Sequence, residues 1–170
     1  MNNLSRRLVL VFLLLFFKST QALEASVPMQ VWVNQAIVNL FTFSFDNWES
    51  RQKDMASYFT TDAWQAYLKA MNQSNIITVV KNNKYTVSAV ATLPPSIKLI
   101  GKNLYEASMP IIVSYKNADK TQVQHLTITL HVFETTNTGF GKYAINQFLS
   151  KVDTMPCMCK EDNGPKVTIV

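Results

Sequence analysis

The spacing of apolar residues divides the chain into a helical first half and a strand-forming second half. From residue 28 to residue 72 apolar positions recur at helical intervals, the pattern of amphipathic helices. The polar pair Asp46-Asn47 interrupts this region and is suited to cap a second helix, predicted from Trp48 to Tyr58. A third helix is predicted from Thr61 to Met71.

Three signals mark the start of the third helix. Thr60 is a good N-cap, because its hydroxyl can accept a hydrogen bond from a free amide of the first turn. Asp62 places a negative charge at the positive end of the helix dipole. Phe59 and Trp64 occupy the two positions of a hydrophobic staple. These signals define architecture and carry no chemistry.

After residue 75 the apolar period becomes two, which is typical of strands. The predicted strands are Ile76–Val80, Tyr85–Leu93 before the break at Pro94-Pro95, Ile97–Leu99, Tyr105–Tyr115, Val123–Phe133 and Tyr143–Leu149. Pro110 lacks a ladder donor and predicts an edge or a bulge in its strand. Helices followed by strands with short connections predict an α+β fold, with the N-terminal helices packed on a curved antiparallel sheet.

The first residues indicate export. Arg6 and Arg7 precede an apolar run from Leu8 to Phe17, too short to span a bilayer but suited to a signal peptide. We therefore expect residues 1–22 to be a signal peptide, or alternatively a short membrane anchor. A domain at 23–150 and a C-terminal tail at 151–170 follow.

Net charge argues against nucleic acid as a partner. The chain carries 16 Lys+Arg and 11 Asp+Glu, a net charge of +5. Three of the basic residues and none of the acidic ones lie in residues 1–22, so the remainder carries only +2. Its lysines are scattered singly, whereas a nucleic-acid site needs clustered bases.

Cys157 and Cys159 form the one cluster with potential chemistry, beside Met155 and Met158. In an oxidising compartment the cysteines could form a disulfide, although a bond between the two would close a strained ring. Soft sulfur ligands could instead hold Cu(I). A third interpretation is that these cysteines have no role in the C-terminal tail. A zinc site normally needs four ligands, and we expect no metal or other cofactor.

The first helix is unusually apolar and could contact a partner. Val31, Trp32, Ile37, Phe41 and Phe45 represent this candidate interaction surface. A helix with more apolar residues than one buried stripe requires is either a contact surface or a fully covered core helix.

Catalysis is not indicated by the residues expected to face inward. The main strands place Tyr85, Val87, Ala89, Ala91 and Leu93, then Tyr105, Ala107, Met109, Ile111, Val113 and Tyr115, on the inward side. Acid–base catalysis would use an Asp, His or Tyr here. No carboxylate is among these residues, and tyrosines in a core usually only reach a hydrogen-bond partner. His125 and His131 share the outward parity of their strand and are expected to face solvent.

Several segments, in order, resemble the DotI/IcmL family of type IVB secretion systems, which includes the TraM proteins of related conjugation machines. They are Phe43-Ser44-Phe45-Asp46-Asn47-Trp48, Tyr58-Phe59-Thr60 with Trp64, Val87 to Ala91 before Pro94-Pro95, Pro110 with Tyr115, and Gly139 to Phe148. Together they span about residues 30–150. Two departures, the short apolar leader and Leu104-Tyr105-Glu106 where the family usually has a tryptophan, favour an IcmL-like paralogue.

The resemblance implies a cone-shaped fold of the nuclear-transport-factor-2-like kind. It also implies a non-enzymatic, periplasmic component or accessory of a type IVB secretion or conjugation machine, in contact with envelope or secretion-system proteins and capable of self-association. If the leader is uncleaved, the protein would instead face the periplasm from the inner membrane. The alternatives are a periplasmic binder of a small apolar ligand and, on the same fold, an isomerase- or dehydratase-like enzyme.

We predict that the exported protein begins at about residue 23, because the apolar run is short and small residues follow it. N-terminal sequencing of the protein from fractionated cells measures this. An intact Met1 on protein that stays in carbonate-washed membranes would support the anchor instead.

Overall fold

The computed structural model describes residues 27–135 and 141–153. In this part of the chain the α-helices are α1 (Val27–Leu40), α2 (Trp48–Ala56), α3 (Thr61–Gln73) and α4 (Ile76–Asn82). The strands are β1 (Phe43–Ser44), β2 (Thr86–Ala91), β3 (Ser96–Gly101), β4 (Leu104–Lys116), β5 (Thr121–Glu134) and β6 (Tyr143–Val152). All the described helices precede β2, although α4 lies beyond residue 75, where the period of two was predicted to begin.

The strands form one antiparallel sheet in the order β1-β2-β4-β5-β6, and β3 pairs with β4 on the same side as β2. Pro110 lies in the gap between the end of β2, opposite Ile111, and the start of β3, opposite Ser108. Its carbonyl accepts a hydrogen bond of 3.0 Å from the amide of Thr92. Because the nitrogen and carbonyl of one strand residue point to the same side, the nitrogen of Pro110 faces this gap and no ladder donor is lost. The predicted local edge at Pro110 is confirmed.

The core lies between the helices and one face of the sheet. The predicted alternation holds along the two longest strands: Ala107, Met109, Ile111 and Val113 of β4 are buried, and so are Leu126, Ile128, Leu130 and Val132 of β5. Helix α1 contributes Val33, Ile37 and Leu40 to the same cluster. The helices therefore cover one side of a curled antiparallel sheet, and the predicted α+β, nuclear-transport-factor-2-like class is confirmed.

The start of α3 has the predicted cap and staple. The hydroxyl of Thr60 accepts a hydrogen bond of 3.4 Å from the amide of Ala63. The ring centroids of Phe59 and Trp64 are 5.5 Å apart, and Tyr67 lies 5.2 Å from Phe59. Phe59 is only 1% exposed, whereas Trp64 is half-buried. Phe59 is therefore the anchor of the pair.

Two backbone hydrogen bonds fasten this junction to β6. The amide of Thr60 donates to the carbonyl of Ile145 at 2.9 Å, and the amide of Ile145 donates to the carbonyl of Tyr58 at 2.7 Å. They form a short parallel bridge between Phe59 and Ile145, which we call the Ile145 bridge. It covers part of the free edge of β6 and holds the aromatic cluster of α3 against the sheet.

The predicted strand at Ile76–Val80 is wrong, since these residues form α4. Its β-branched residues favour a strand, but tertiary context overrides this propensity. Asn75 adopts a left-handed conformation (φ 56°), which Asn tolerates, and redirects the chain after α3. In a helix Val80 is buried on the same side as Ile76 and Ile77, which pack partly against the core.

The first helix ends earlier than predicted, at Leu40 rather than Phe45. The hydroxyl of Thr42 donates to the carbonyl of Val38 at 2.7 Å and closes the last turn. The chain then extends, and Phe43 pairs with Val87 in β1. This places the ring of Phe43 5.0 Å from Trp48, in the core. Pairing with β2 thus outweighs the helical pattern.

The second helix also ends before its predicted limit at Tyr58, and its cap differs. Asn47 occupies the N-cap position, but its side chain makes no capping hydrogen bond to the helix. Its Oδ1 instead accepts from the amide of Ser44 at 2.7 Å, which fixes the turn before the helix. Helix α2 stops at Ala56, and Tyr58 enters the Ile145 bridge.

We predict that Phe59→Ala lowers the free energy of unfolding by about 3–5 kcal/mol, as large aromatic deletions in cores do. Trp64→Ala should cost less, because part of that ring already contacts water. Thr60→Ala should cost about 1 kcal/mol or less, since it removes only one long capping hydrogen bond. Chemical denaturation of the three variants tests this order. A Trp64→Ala effect above that of Phe59→Ala would show that the anchor has been assigned to the wrong ring.

Candidate functional site

No carboxylate, imidazole or amine lies inside the described part of the sheet. Among residues 27–135 and 141–153, no charged or strongly polar residue is buried. Glu106, the carboxylate nearest the inward positions of β4, lies on the outer face opposite His131. Its Oε2 is 3.6 Å from Nε2 of that histidine. The titratable side chains buried in the described interior are tyrosines, among them Tyr67 and Tyr85.

Both histidines have the predicted outward placement. His125 pairs with Ile112 and His131 with Glu106, on the face opposite Leu126 and Leu130. Neither belongs to a metal-ligating group, because no cluster of three or more His, Cys, Asp or Glu side chains occurs in the described ranges.

The residues of the predicted interaction surface lie on separate parts of the folded domain. Val31 is 51% exposed on α1, and Phe45 is 37% exposed after β1. Ile37 is fully buried, so it belongs to the core and cannot reach a partner while the domain is folded. The five residues consequently do not form one face, because the helix that was expected to present them ends at Leu40.

Trp32 and Phe41 are half-buried and already have aromatic neighbours. The ring of Trp32 lies 5.9 Å from Tyr58 and 5.5 Å from Tyr143. Phe41 lies 6.3 Å from Phe148 of β6. Both rings thus attach α1 and its following turn to the rest of the domain and are only partly exposed.

A shallow groove of about 320 Å³ runs beside the exposed side of α1. Gln30, Val31 and Asn34 line it from the helix, and residues 91–95 line it from the end of β2 and the connection to β3. We call it the helix groove. No lining residue is charged. Leu93, at its rim, is 63% exposed, although the sequence pattern predicts that Leu93 faces inward.

A second cavity, of about 520 Å³, lies at the open end of the curled sheet, and we call it the open-end pocket. Ile76 and Val79 of α4 line one wall and Val123 of β5 contributes to another. Its polar groups belong to Tyr85, Tyr115, Gln122 and Gln124.

The inward side of the sheet becomes polar in this pocket. Gln122 and Gln124 pair with Tyr115 and Val113, so they share the inward side of β5 with Leu126. The hydroxyl of Tyr85 donates to Oε1 of Gln122 at 3.2 Å, and that of Tyr115 donates to Oε1 of Gln124 at 3.5 Å. Sequence reasoning missed both glutamines, although extending the period of two back from Leu126 would have found them.

Some predicted features lie outside the described residues: the leader, and Cys157 and Cys159 with the neighbouring methionines. Their disulfide or metal chemistry stays a prediction. Within the described residues no helix is both long and apolar enough to cross a membrane.

Comparison with solved structures supports the family resemblance. An IcmL-like type IV secretion system protein from Legionella pneumophila subsp. pneumophila str. Philadelphia 1 is 37% identical, with a TM-score of 0.73 over 79% of this chain and 98% of that one. The periplasmic domain of DotI is 31% identical, with a TM-score of 0.69 over 75% of this chain and 96% of that one.

More distant structures share the fold alone. CagV, a VirB8 homologue of the type IV secretion system of Helicobacter pylori strain 26695, has a TM-score of 0.63 at 11% identity, over 76% of this chain and 100% of that one. Among curated proteins none matches the chain significantly.

The sequence profile of one family, described as a type-IV b secretion system, inner-membrane complex component, matches residues 20–152. This match covers most of the chain, and it agrees with both structures above 30% identity. The chain therefore belongs to the DotI/IcmL family of type IVb secretion system proteins.

Proposed function

We propose that the protein is a non-enzymatic periplasmic component or accessory of a type IVB secretion machine and acts through contacts with other envelope proteins. The observation that carries the proposal is the family match over residues 20–152. The apolar interior is consistent with it, because no described buried residue has a titratable carboxylate, imidazole or amine. A domain of this kind offers packing surfaces for such contacts.

Two observations, one from the sequence and one from a related structure, support a periplasmic location. Arg6, Arg7 and the apolar run that follows are typical of an export signal. The 31% identical DotI structure is that of a periplasmic domain. In this proposal residues 27–153 work in the periplasm, either released by cleavage or held near the inner membrane by an uncleaved leader.

The helix groove is the proposed contact surface. The cores of protein interfaces are depleted of charged residues and contain apolar side chains ringed by polar ones. The groove has this character: Val31 and Leu93 are exposed at it, and Gln30, Asn34 and Thr92 supply uncharged polar groups. Val27, one turn before Val31 on the same side of α1, is 70% exposed and extends the apolar surface.

The expected energies suit an assembly contact. Covering the exposed part of Val27, Val31 or Leu93 would contribute about 1 kcal/mol each, since fully burying such a side chain contributes roughly 1.5–3 kcal/mol. These contributions can stabilise an interface but are too small to hold a complex alone. The partner must therefore supply a larger surface around the groove.

We predict that Val31→Asp lowers cross-linking to secretion-system proteins by about tenfold or more, because an unpaired carboxylate would be buried in the contact. The measurement is cross-linking in intact cells, purification of the protein and mass spectrometry of the cross-linked partners. The control is Val152→Asp, which adds the same charge at a valine of similar exposure, 54% against 51%, on β6.

The two parts of the proposal fail in different ways. Equal cross-linking by Val31→Asp and Val152→Asp would remove the helix groove from the contact and leave the secretion role standing. Cross-linking of the wild-type protein only to itself, or to no envelope protein, would contradict the secretion role. Melting temperatures of both variants should stay near the wild-type value, because both valines are exposed.

A further inference from the structure

The open-end pocket has the size and composition of a small-molecule site. Its volume of about 520 Å³ lies within the range of roughly 300–1,000 Å³ that is typical of ligand pockets. Such pockets combine apolar walls with a few convergent polar groups. Here Ile76 and Val79 supply apolar surface, and two Tyr–Gln pairs supply the polar groups.

The local fold explains why this end of the sheet is not filled. The apolar inward rows of β4 and β5 end at Val113 and Leu126. Beyond them the inward positions carry Tyr115, Gln124 and Gln122. If apolar side chains covered the polar ends of these residues, those ends would lose hydrogen bonds. Helix α4 packs through Val80 and leaves Val79 exposed beside the cavity.

The hydrogen bonds within the pocket leave donors free. Each glutamine uses its Oε1 to accept from a tyrosine hydroxyl, so each has an Nε2 group with two protons to donate. Neither Nε2 has a hydrogen-bond partner among the described residues. Burial raises the pKa of Tyr115, so its hydroxyl remains protonated and keeps its bond to Gln124 at neutral pH.

A cation lies beside the pocket. The ammonium of Lys120 lies 5.9 Å from the ring centroid of Tyr85. The carboxylate in the β4–β5 turn belongs to Asp119, whose amide bonds to Asn117. Free donors and the nearby Lys120 favour an acceptor with negative charge.

We propose that the open-end pocket binds a small monocarboxylate with an apolar body, whose chain or ring packs on Ile76 and Val79 and whose carboxylate accepts from the amides of Gln122 and Gln124. Lys120 supports the carboxylate by its charge. This site lies apart from the helix groove, shares no lining residue with it and does not depend on the proposed secretion role.

The test uses three eight-carbon probes: octanoate, octanol and octylammonium. Two-dimensional NMR of the isotope-labelled protein purified from the cell envelope would follow the amides of Tyr85, Val123 and Gln124. Octanoate should give saturable shifts at these amides, with an affinity about tenfold or more above that of octylammonium. Octanol should bind between the two, because it fills the apolar space without the charge.

Two variants separate site binding from general charge effects. Val79→Asp places a carboxylate in the wall and should weaken octanoate binding by about tenfold or more. Thr78→Asp adds the same charge one position earlier on α4, at an exposed residue that does not line the pocket, and should change the affinity by less than about twofold. Gln124→Leu should weaken octanoate more than octanol, because only octanoate uses the amide donor strongly.

Three results would overturn the proposal. They are shifts that do not saturate, equal affinities for octanoate and octylammonium, and equal losses in Val79→Asp and Thr78→Asp. This experiment measures ligand binding by the purified protein, so a negative result would not change the cross-linking results. A negative cross-linking result would likewise leave the ligand-binding proposal standing.

Discussion

The sheet is organised around β4, because three of the other described strands pair with it directly. On one side β4 is paired along its length with β5. On the other side it carries β2 along one half and β3 along the other, with Pro110 between them. One strand thus fixes the register of three others. The alternation of its side chains between the two faces of the sheet determines which of them face the helices. A one-residue slip in β4 would turn Met109 and Ile111 outward and remove the centre of the core.

The position of Pro110 links this pairing to the helix groove. Strand β2 ends opposite Ile111, the neighbour of Pro110. The chain therefore leaves the sheet through residues 92–95 before it returns as β3. The departing segment passes beside α1 and exposes Leu93 at the rim of the groove. The apolar surface proposed for protein contacts therefore arises from a break in sheet pairing and not from the helix alone.

Much of the fold could be predicted from the sequence because its signals are local and repeated. The alternation along β4 and β5 extends over many residues, and the cap and staple around Thr60 need only neighbouring positions. Where the prediction failed, distant residues decided the structure. Phe43 left its helix to pair with Val87, and the β-branched residues of α4 became helical because Val80 is buried against the core.

The candidate sites were less accessible to sequence reasoning. The helix groove joins α1 to residues 91–95, which lie far apart in the chain and have no shared pattern. The open-end pocket was in principle visible, since Gln122 and Gln124 continue the inward parity of β5. In a sequence, polar residues at inward positions indicate the end of a strand. Only the placement of α4 in the fold shows that these residues line a cavity.

The Ile145 bridge has a consequence for the order in which the domain folds. It joins the start of α3 to the last strand of the sheet, so nearly the whole domain must be present before it forms. Contacts between residues so distant in sequence form slowly, because the intervening chain must first be ordered. Until β6 is in place, Phe59 and Tyr67 lack the cover that Ile145 and Phe148 provide. The time that the last strand takes to dock therefore determines how long this aromatic cluster is open to aggregation.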